Sequence, residues 1–182
     1  NIFSFIILLG LSGVAEALGR KSKFENMSLG QIADQTLTNA LATQITAPDA
    51  NYVVGEFPTE IQSTLVPVLA GVGKLFGQDQ EASAFTTASV VNVLAQIYLN
   101  HQDQKDRYSS LNKIPLAVQN GVRSFERYSS GPVFNFYPPH IENGVQTRRP
   151  IDMELGKMWF GFTNIPNDAD TSSVALSALL FN

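Results

Sequence analysis

The strongest helical pattern of the chain lies between residues 85 and 99. Apolar residues recur there at steps of three and four on a broad face, which indicates a helix buried on more than one side. Such a helix needs neighbours on those sides to bury it. The pattern is carried by Phe85, Ala88, Val91, Val93, Leu94, Ile97 and Tyr98.

Two helices are predicted before this segment. An amphipathic stripe runs over residues 32–45, with Ser28 or Gly30 as the candidate cap. Pro58 is suited to a first helical position, because the N–H that proline lacks would have no partner there, and a helix is predicted over residues 59–76.

Two more helices are predicted after it. Pro115 opens one that continues to Tyr128 and ends at the Ser-Ser-Gly-Pro turn of residues 129–132. The last begins near Asp170 and stays apolar up to residue 182 without a stop signal. This helix needs a partner, so further C-terminal helices are expected to be missing from the chain.

Sustained alternation of polar and apolar residues is confined to residues 133–137, so the predicted fold class is all-α. Helices of similar length joined by short loops fit a bundle or part of a helical toroid built of antiparallel helix pairs. A chain of 182 residues is long enough for one domain with a real core.

Composition excludes several function classes. A net charge of −4 argues against binding to nucleic acid, which needs a concentrated basic face. The absence of cysteine excludes disulfides, thiolate metal sites and cysteine nucleophiles. No nucleotide-binding fingerprint is present, and the two histidines lack partners at metal-ligand spacing, so neither a cofactor nor a metal is predicted.

The N-terminus predicts export. Residues 2–11 are almost entirely apolar, and Ala15 and Ala17 fit a cleavage site for a signal peptide over residues 1–17. Residues 18–182 would then form the mature helical domain, in the periplasm or secreted, with no membrane contact beyond the signal segment. The alternative is that the apolar run is a buried helix of the domain.

The candidate catalytic residues are Asp168 and Asp170, two carboxylates at the start of the last helix. Their alternative role is helix capping. Arg148 and Arg149 could hold an anionic group or be surface residues. The candidate ligand-binding residues form an aromatic cluster with one amide and one histidine, and core packing is the alternative for its rings; they are Phe134, Asn135, Phe136, Tyr137, His140 and Trp159.

Three segments together resemble a known superfold: Ser-Phe-Glu-Arg-Tyr at 124–128, Gly-x-x-Phe-Asn-Phe-Tyr-Pro at 131–138, and Ile-Pro-Asn-Asp-Ala-Asp-Thr-Ser at 165–172. They are similar to the terpenoid cyclases and protein prenyltransferases, most of all to exported bacterial α/α-toroid proteins. The resemblance implies a partial toroid with a pocket at one end. Asp168 and Asp170 match the first two acids of the cyclase Asp-x-Asp-Asp motif, Asp170 as proton donor, whereas Thr171 replaces the third.

Three functions follow as hypotheses. The first is an exported protein that binds an apolar or glycan-like small molecule in an aromatic and acidic pocket. The second is an enzyme, with Asp170 as a cyclase-like acid or with carboxylates paired on a carbohydrate, the second acid being Glu142, Asp152 or Glu154. The third is a scaffold for protein interactions.

Overall fold

The computed structural model describes residues 26–60, 80–148 and 166–180. Four α-helices lie in these ranges: α1 (Leu29–Ala42), α2 (Ala84–His101), α3 (Ile114–Ser124) and α4 (Ala169–Leu179). Three short 3₁₀ helices follow α2 or flank α3, at Gln102–Gln104, Ser109–Lys113 and Phe125–Tyr128.

The described strands form three antiparallel pairs, each a two-stranded sheet. β1 (Thr59–Glu60) pairs with β2 (Gln80–Glu81), and β3 (Ser129–Ser130) pairs with β4 (Val133–Phe134). β5 (His140–Glu142) pairs with β6 (Val145–Thr147), with His140 opposite Thr147 and Glu142 opposite Val145.

The prediction of an all-α fold, and of a partial α/α toroid in particular, is wrong. The fold is mixed, with strand pairs between and beside the helices. The strands are two or three residues long, too short to show an alternating pattern in the sequence. The sequence did contain one hairpin signal, Asn143–Gly144, which joins β5 to β6.

The helix predicted over residues 59–76 is wrong at its start, because Thr59 and Glu60 form β1 and pair with β2. Residues 61–79, which include the remainder of that predicted helix, lie outside the described residues. So do residues 1–17, the predicted signal peptide.

Helix α2 is the centre of the core and is buried on more than one side, as predicted, although Phe85 of the predicted apolar face is exposed. Ser83 begins it by accepting a hydrogen bond from the Thr86 N–H through its side chain. The face toward α4 and α3 is rich in small residues, which lets the helices approach closely. The buried residues of α2 are Ala84, Thr87, Ala88, Val91, Leu94 and Ala95.

The starts of α1 and α3 agree with the sequence. Ser28 caps α1 in a capping box with Gln31, in which each side chain bonds the backbone N–H of the other residue. Pro115 lies in the first turn of α3. The α-helix ends at Ser124 and tightens to a 3₁₀ helix through Tyr128, after which the predicted turn leads into β4.

Residues 43–57, nearly all of the connection from α1 to β1, are held down by a fully buried carboxylate, and we name this segment the strap. Glu56 is completely inaccessible to solvent. Its Oε1 accepts from the Tyr128 hydroxyl and from Arg127 Nη1 at 3.1 Å, and its Oε2 accepts from the Val53 N–H at 2.8 Å. Burial, and next the charge of Glu56, raise the pKa of Tyr128 far above its usual range, so the phenol remains a donor.

A second polar contact fixes the other end of the strap. The Gln44 amide donates to the Gly55 carbonyl at 3.0 Å and to the Ala117 carbonyl at 2.8 Å. Gly55 has a φ of +100°, and a Cβ there would lie 2.0 Å from the Asn120 carbonyl oxygen. The strap therefore approaches α3 as closely as glycine alone allows.

Replacement of Glu56 by Ala is expected to lower the free energy of unfolding by about 2–4 kcal/mol, because it leaves the Tyr128 hydroxyl and the Val53 N–H without their acceptor. Arg127 also loses its ion pair, but its side chain is partly exposed to water. Chemical denaturation measures this loss. The exposed neighbour Glu126 is the control, and Glu126→Ala should change stability by less than about 0.5 kcal/mol. Equal losses in the two variants would contradict the structural role of Glu56.

Two glycines with positive φ separate close approach from backbone strain. Gly131 has a φ of +69°, and nothing packs within 4 Å of the position of an added Cβ. Gly131→Ala should therefore lower the free energy of unfolding by about 1 kcal/mol, through backbone strain alone. Gly55→Ala adds a collision with backbone and should cost at least about 2 kcal/mol more. Denaturant titration of both variants measures the two losses in the free energy of unfolding. Similar losses would show that the strap can move away from α3.

Candidate functional site

The start of α4 holds the two candidate catalytic carboxylates, and the structure gives them different positions. Asp168 is the N-cap, with extended backbone and a side chain that accepts from the Thr171 N–H at 2.6 Å. Asp170 lies in the first turn, exposed to solvent, and no described residue forms an ion pair with it. The capping role is thus filled by Asp168, whose carboxylate the helix dipole also favours.

Residues 133–137, which carry most of the ligand-binding candidates, dock onto the first turn of α4. The Ser172 hydroxyl accepts from the Phe134 N–H at 2.9 Å and donates to the Phe134 carbonyl at 3.3 Å. The Asn135 amide donates to Asn167 Oδ1 at 3.2 Å and accepts from the Tyr137 N–H at 3.0 Å. Asn135 is only 1% exposed, and its side chain fixes the loop backbone through these two hydrogen bonds.

The aromatic candidates mainly fill the core. Phe134 is buried with its ring edge-on to Phe125, and Tyr137 is buried beside Phe136. The half-buried Phe136 stacks on Phe85 with ring centres 6.2 Å apart. Trp159 lies outside the described residues.

His140 and Arg148 take part in local structure at the base of the hairpin. His140 Nε2 lies 2.9 Å from the Thr147 hydroxyl across the β5–β6 pair. Arg148 donates to the Tyr128 carbonyl at 3.1 Å and the Ser129 carbonyl at 3.3 Å, and its partial burial lowers its pKa. Its guanidinium holds the end of the Phe125–Tyr128 helix, a structural use that differs from the anion site considered for it. Arg149, the other residue of that candidate site, lies outside the described residues.

The outer face of α4 forms one wall of an open depression of about 700 Å³, which we name the α4 groove. Its apolar surface comes from three exposed side chains, Val133, Leu176 and Leu180. Serine hydroxyls lie between them, and an amide and a carboxylate lie at the N-terminal end. The lining residues are Val133, Asn167, Asp168, Ala169, Ser172, Ser173, Leu176, Ser177 and Leu180.

The described lining of the groove offers few kinds of functional group. Among the described residues that line it, none is aromatic and none is Lys, Arg or His.

Within residues 26–60, 80–148 and 166–180, no three His, Asp or Glu side chains are grouped so as to hold a metal ion. The helices in the same ranges include none whose length and apolar content would let it cross a bilayer.

Comparisons of the chain with protein-family models, with curated proteins and with solved structures gave no match. The function must therefore be argued from the geometry of the chain itself.

Sequence reasoning missed the Glu56 cluster and the groove. A signal for the first was present: Glu56 is the only charged residue in the stretch 52–57, and it precedes a phenylalanine that is buried. The groove has no comparable signal, because its surface depends on which side of α4 packs against α2.

The division of roles between the two acids can be measured. Asp168→Ala should lower the free energy of unfolding by about 1 kcal/mol and Asp168→Asn by a few tenths at most, since Asn caps as well as Asp. Asp170→Ala should cost about 0.5 kcal/mol or less, because it loses only a dipole interaction in the first turn. Thermal and denaturant unfolding provide the values. A larger loss at Asp170 than at Asp168 would contradict the assignment of the cap.

Proposed function

We propose that the protein is a binding module whose α4 groove receives a cationic, amphipathic segment of another protein. The observation that carries the proposal is the open groove with three exposed apolar side chains along one face of a helix. Leu176 is 48% exposed, Leu180 88% and Val133 36%. Grouped exposed apolar residues with a polar rim are typical of protein interaction sites.

The shape of the groove favours a polypeptide over the small molecule that the sequence suggested. Sites for small apolar ligands enclose most of the ligand surface, whereas this groove is open along its length. Sites that stack sugar rings use aromatic faces, and none of its described lining residues is aromatic. A helix or extended segment can cover such a surface by placing side chains at regular spacing.

The side chains of α4 also suggest how the segment packs. Ala169, Ser173 and Ser177 recur every four residues, with Leu176 and Leu180 beside them on the same face. Small residues leave space for a neighbouring backbone, and the leucines supply the apolar contacts. Apolar side chains of the partner are therefore expected to lie against Leu176 and Leu180.

Charge distinguishes the partner from a second copy of this chain. Asp168 lines one end of the groove and the exposed Asp170 flanks it, with no basic residue among the described lining residues. A second copy would present the same two acids, and the described residues lining that face include no cation. A segment with Lys or Arg near the N-terminal end of α4 complements both the charge and the apolar surface.

The test uses a panel of fluorescein-labelled synthetic helical peptides. Every peptide carries leucines at steps of four residues and two lysines at one end, and the peptides differ in the register of the leucines. A matched panel has two glutamates in place of the two lysines. Fluorescence anisotropy should show that the lysine peptides bind and the glutamate peptides do not. Leu176→Glu should weaken binding at least tenfold or so, as for a central interface contact.

Leu116→Glu is the matched control, because Leu116 is 62% exposed on α3 and does not line the groove. It should leave the affinity unchanged. Equal binding of lysine and glutamate peptides, or no binding by either panel, would overturn the proposal. A dimer in sedimentation velocity that Leu176→Glu abolishes would overturn it in favour of a second copy as the occupant.

A further inference from the structure

The sequence contains the dipeptide Asn-Gly twice, in nearly identical surroundings. One copy is Gln-Asn120-Gly121-Val, and the other is Glu-Asn143-Gly144-Val. Asparagine followed by glycine is the sequence most prone to spontaneous loss of the side-chain amide, because glycine has no side chain to hinder the reaction. By sequence alone the two sites are equivalent, but the fold places them in opposite environments.

The reaction needs no enzyme. The backbone nitrogen of the glycine attacks the asparagine Cγ and loses its proton. The side-chain NH2 group takes up that proton and leaves as ammonia, and a five-membered succinimide ring remains. Water then opens the ring at either carbonyl, giving aspartate or isoaspartate. In total one water is consumed and one ammonia released, with no oxidation. The step requires an amide nitrogen that can rotate toward the side chain.

At Asn120 the fold prevents this rotation. Gly121 is buried within α3, where the backbone N–H groups are engaged in the helical ladder. A Cβ on Gly121 would lie 2.4 Å from a methyl group of Val91, and the Gly55 carbonyl lies 3.6 Å away. Reaction there would require the core between α2, α3 and the strap to open.

At Asn143 the fold leaves the dipeptide exposed in a turn. It forms the two-residue turn of the β5–β6 hairpin, with φ of 52° at Asn143 and 78° at Gly144, and both residues are exposed. No atom lies within 4 Å of the position of a Cβ on Gly144. The strands have three residues each, and so short a hairpin opens locally at small free-energy cost.

From this contrast we infer that Asn143 is a site of spontaneous deamidation in the folded protein and that Asn120 is protected. The product changes the hairpin. An isoaspartate adds one backbone atom to a two-residue turn, which breaks the register that places His140 opposite Thr147. Either product adds a negative charge to a chain whose net charge is −4.

The test is incubation of the folded chain at mildly alkaline pH, with the two sites followed by peptide mass spectrometry. Isoaspartyl methyltransferase labelling identifies the rearranged product. Asn143 should react at least about ten times faster than Asn120, because only the latter requires core opening. In urea sufficient to unfold the chain, the two sites should react at similar rates, which assigns the difference to the fold.

Equal rates in the folded chain, or faster reaction at Asn120, would overturn the inference. So would a difference that persists unchanged in urea, since neighbouring residues rather than the fold would then cause it. Asn143→Gln is the control variant, because glutamine forms the larger cyclic intermediate slowly. It should remove the isoaspartyl signal of the folded chain and leave the Asn120 peptide as before.

Discussion

The hydrogen bonds of the buried Glu56 carboxylate fix the arrangement of the strap, the Phe125–Tyr128 helix and the elements attached to them. The carboxylate joins the strap to the Phe125–Tyr128 helix through Arg127 and Tyr128, and Arg148 continues the connection by binding the Tyr128 carbonyl from beyond the hairpin. A buried ion of this kind contributes little net stability, but each missing partner is costly. The cluster therefore selects one arrangement of the strap against α3.

The groove depends on a second set of polar contacts, between residues 133–137 and the first turn of α4. Ser172 binds both backbone groups of Phe134, and Asn135 binds Asn167. These bonds place Val133 beside α4 and so form the second wall of the groove. Phe134, Asn135 and Tyr137, which were predicted to bind a ligand, thus lie behind the groove, where they are buried and their backbone fixes its edge.

The sequence predicts the helices better than the site, for physical reasons. Helix α2 is recognisable because a broad apolar face and a serine cap are local properties of residues 83–101. β1 to β4 escape prediction because pairs of two residues depend on tertiary contacts, whereas β5 and β6 were missed although the Asn143–Gly144 turn between them is a local signal. Asp168 and Asp170 both favour a helix start, and only the backbone shows which is the cap. Their exposure depends on how α4 packs, which residue spacing alone does not determine.

Because α4 carries the groove on its outer face, binding in the groove would affect how firmly the helix stays docked on α2. The buried residues of α4 are two alanines, one threonine and one serine, and the partly buried Val174 packs against the core beside them. Its detachment from α2 is a local opening, and local openings require at most the free energy of global unfolding. A partner seated on its outer face would be bound only while α4 is docked, so occupancy and docking of the helix are thermodynamically linked. Slower amide exchange along α4 would be the signature of an occupied groove, even though no partner contact reaches its buried side.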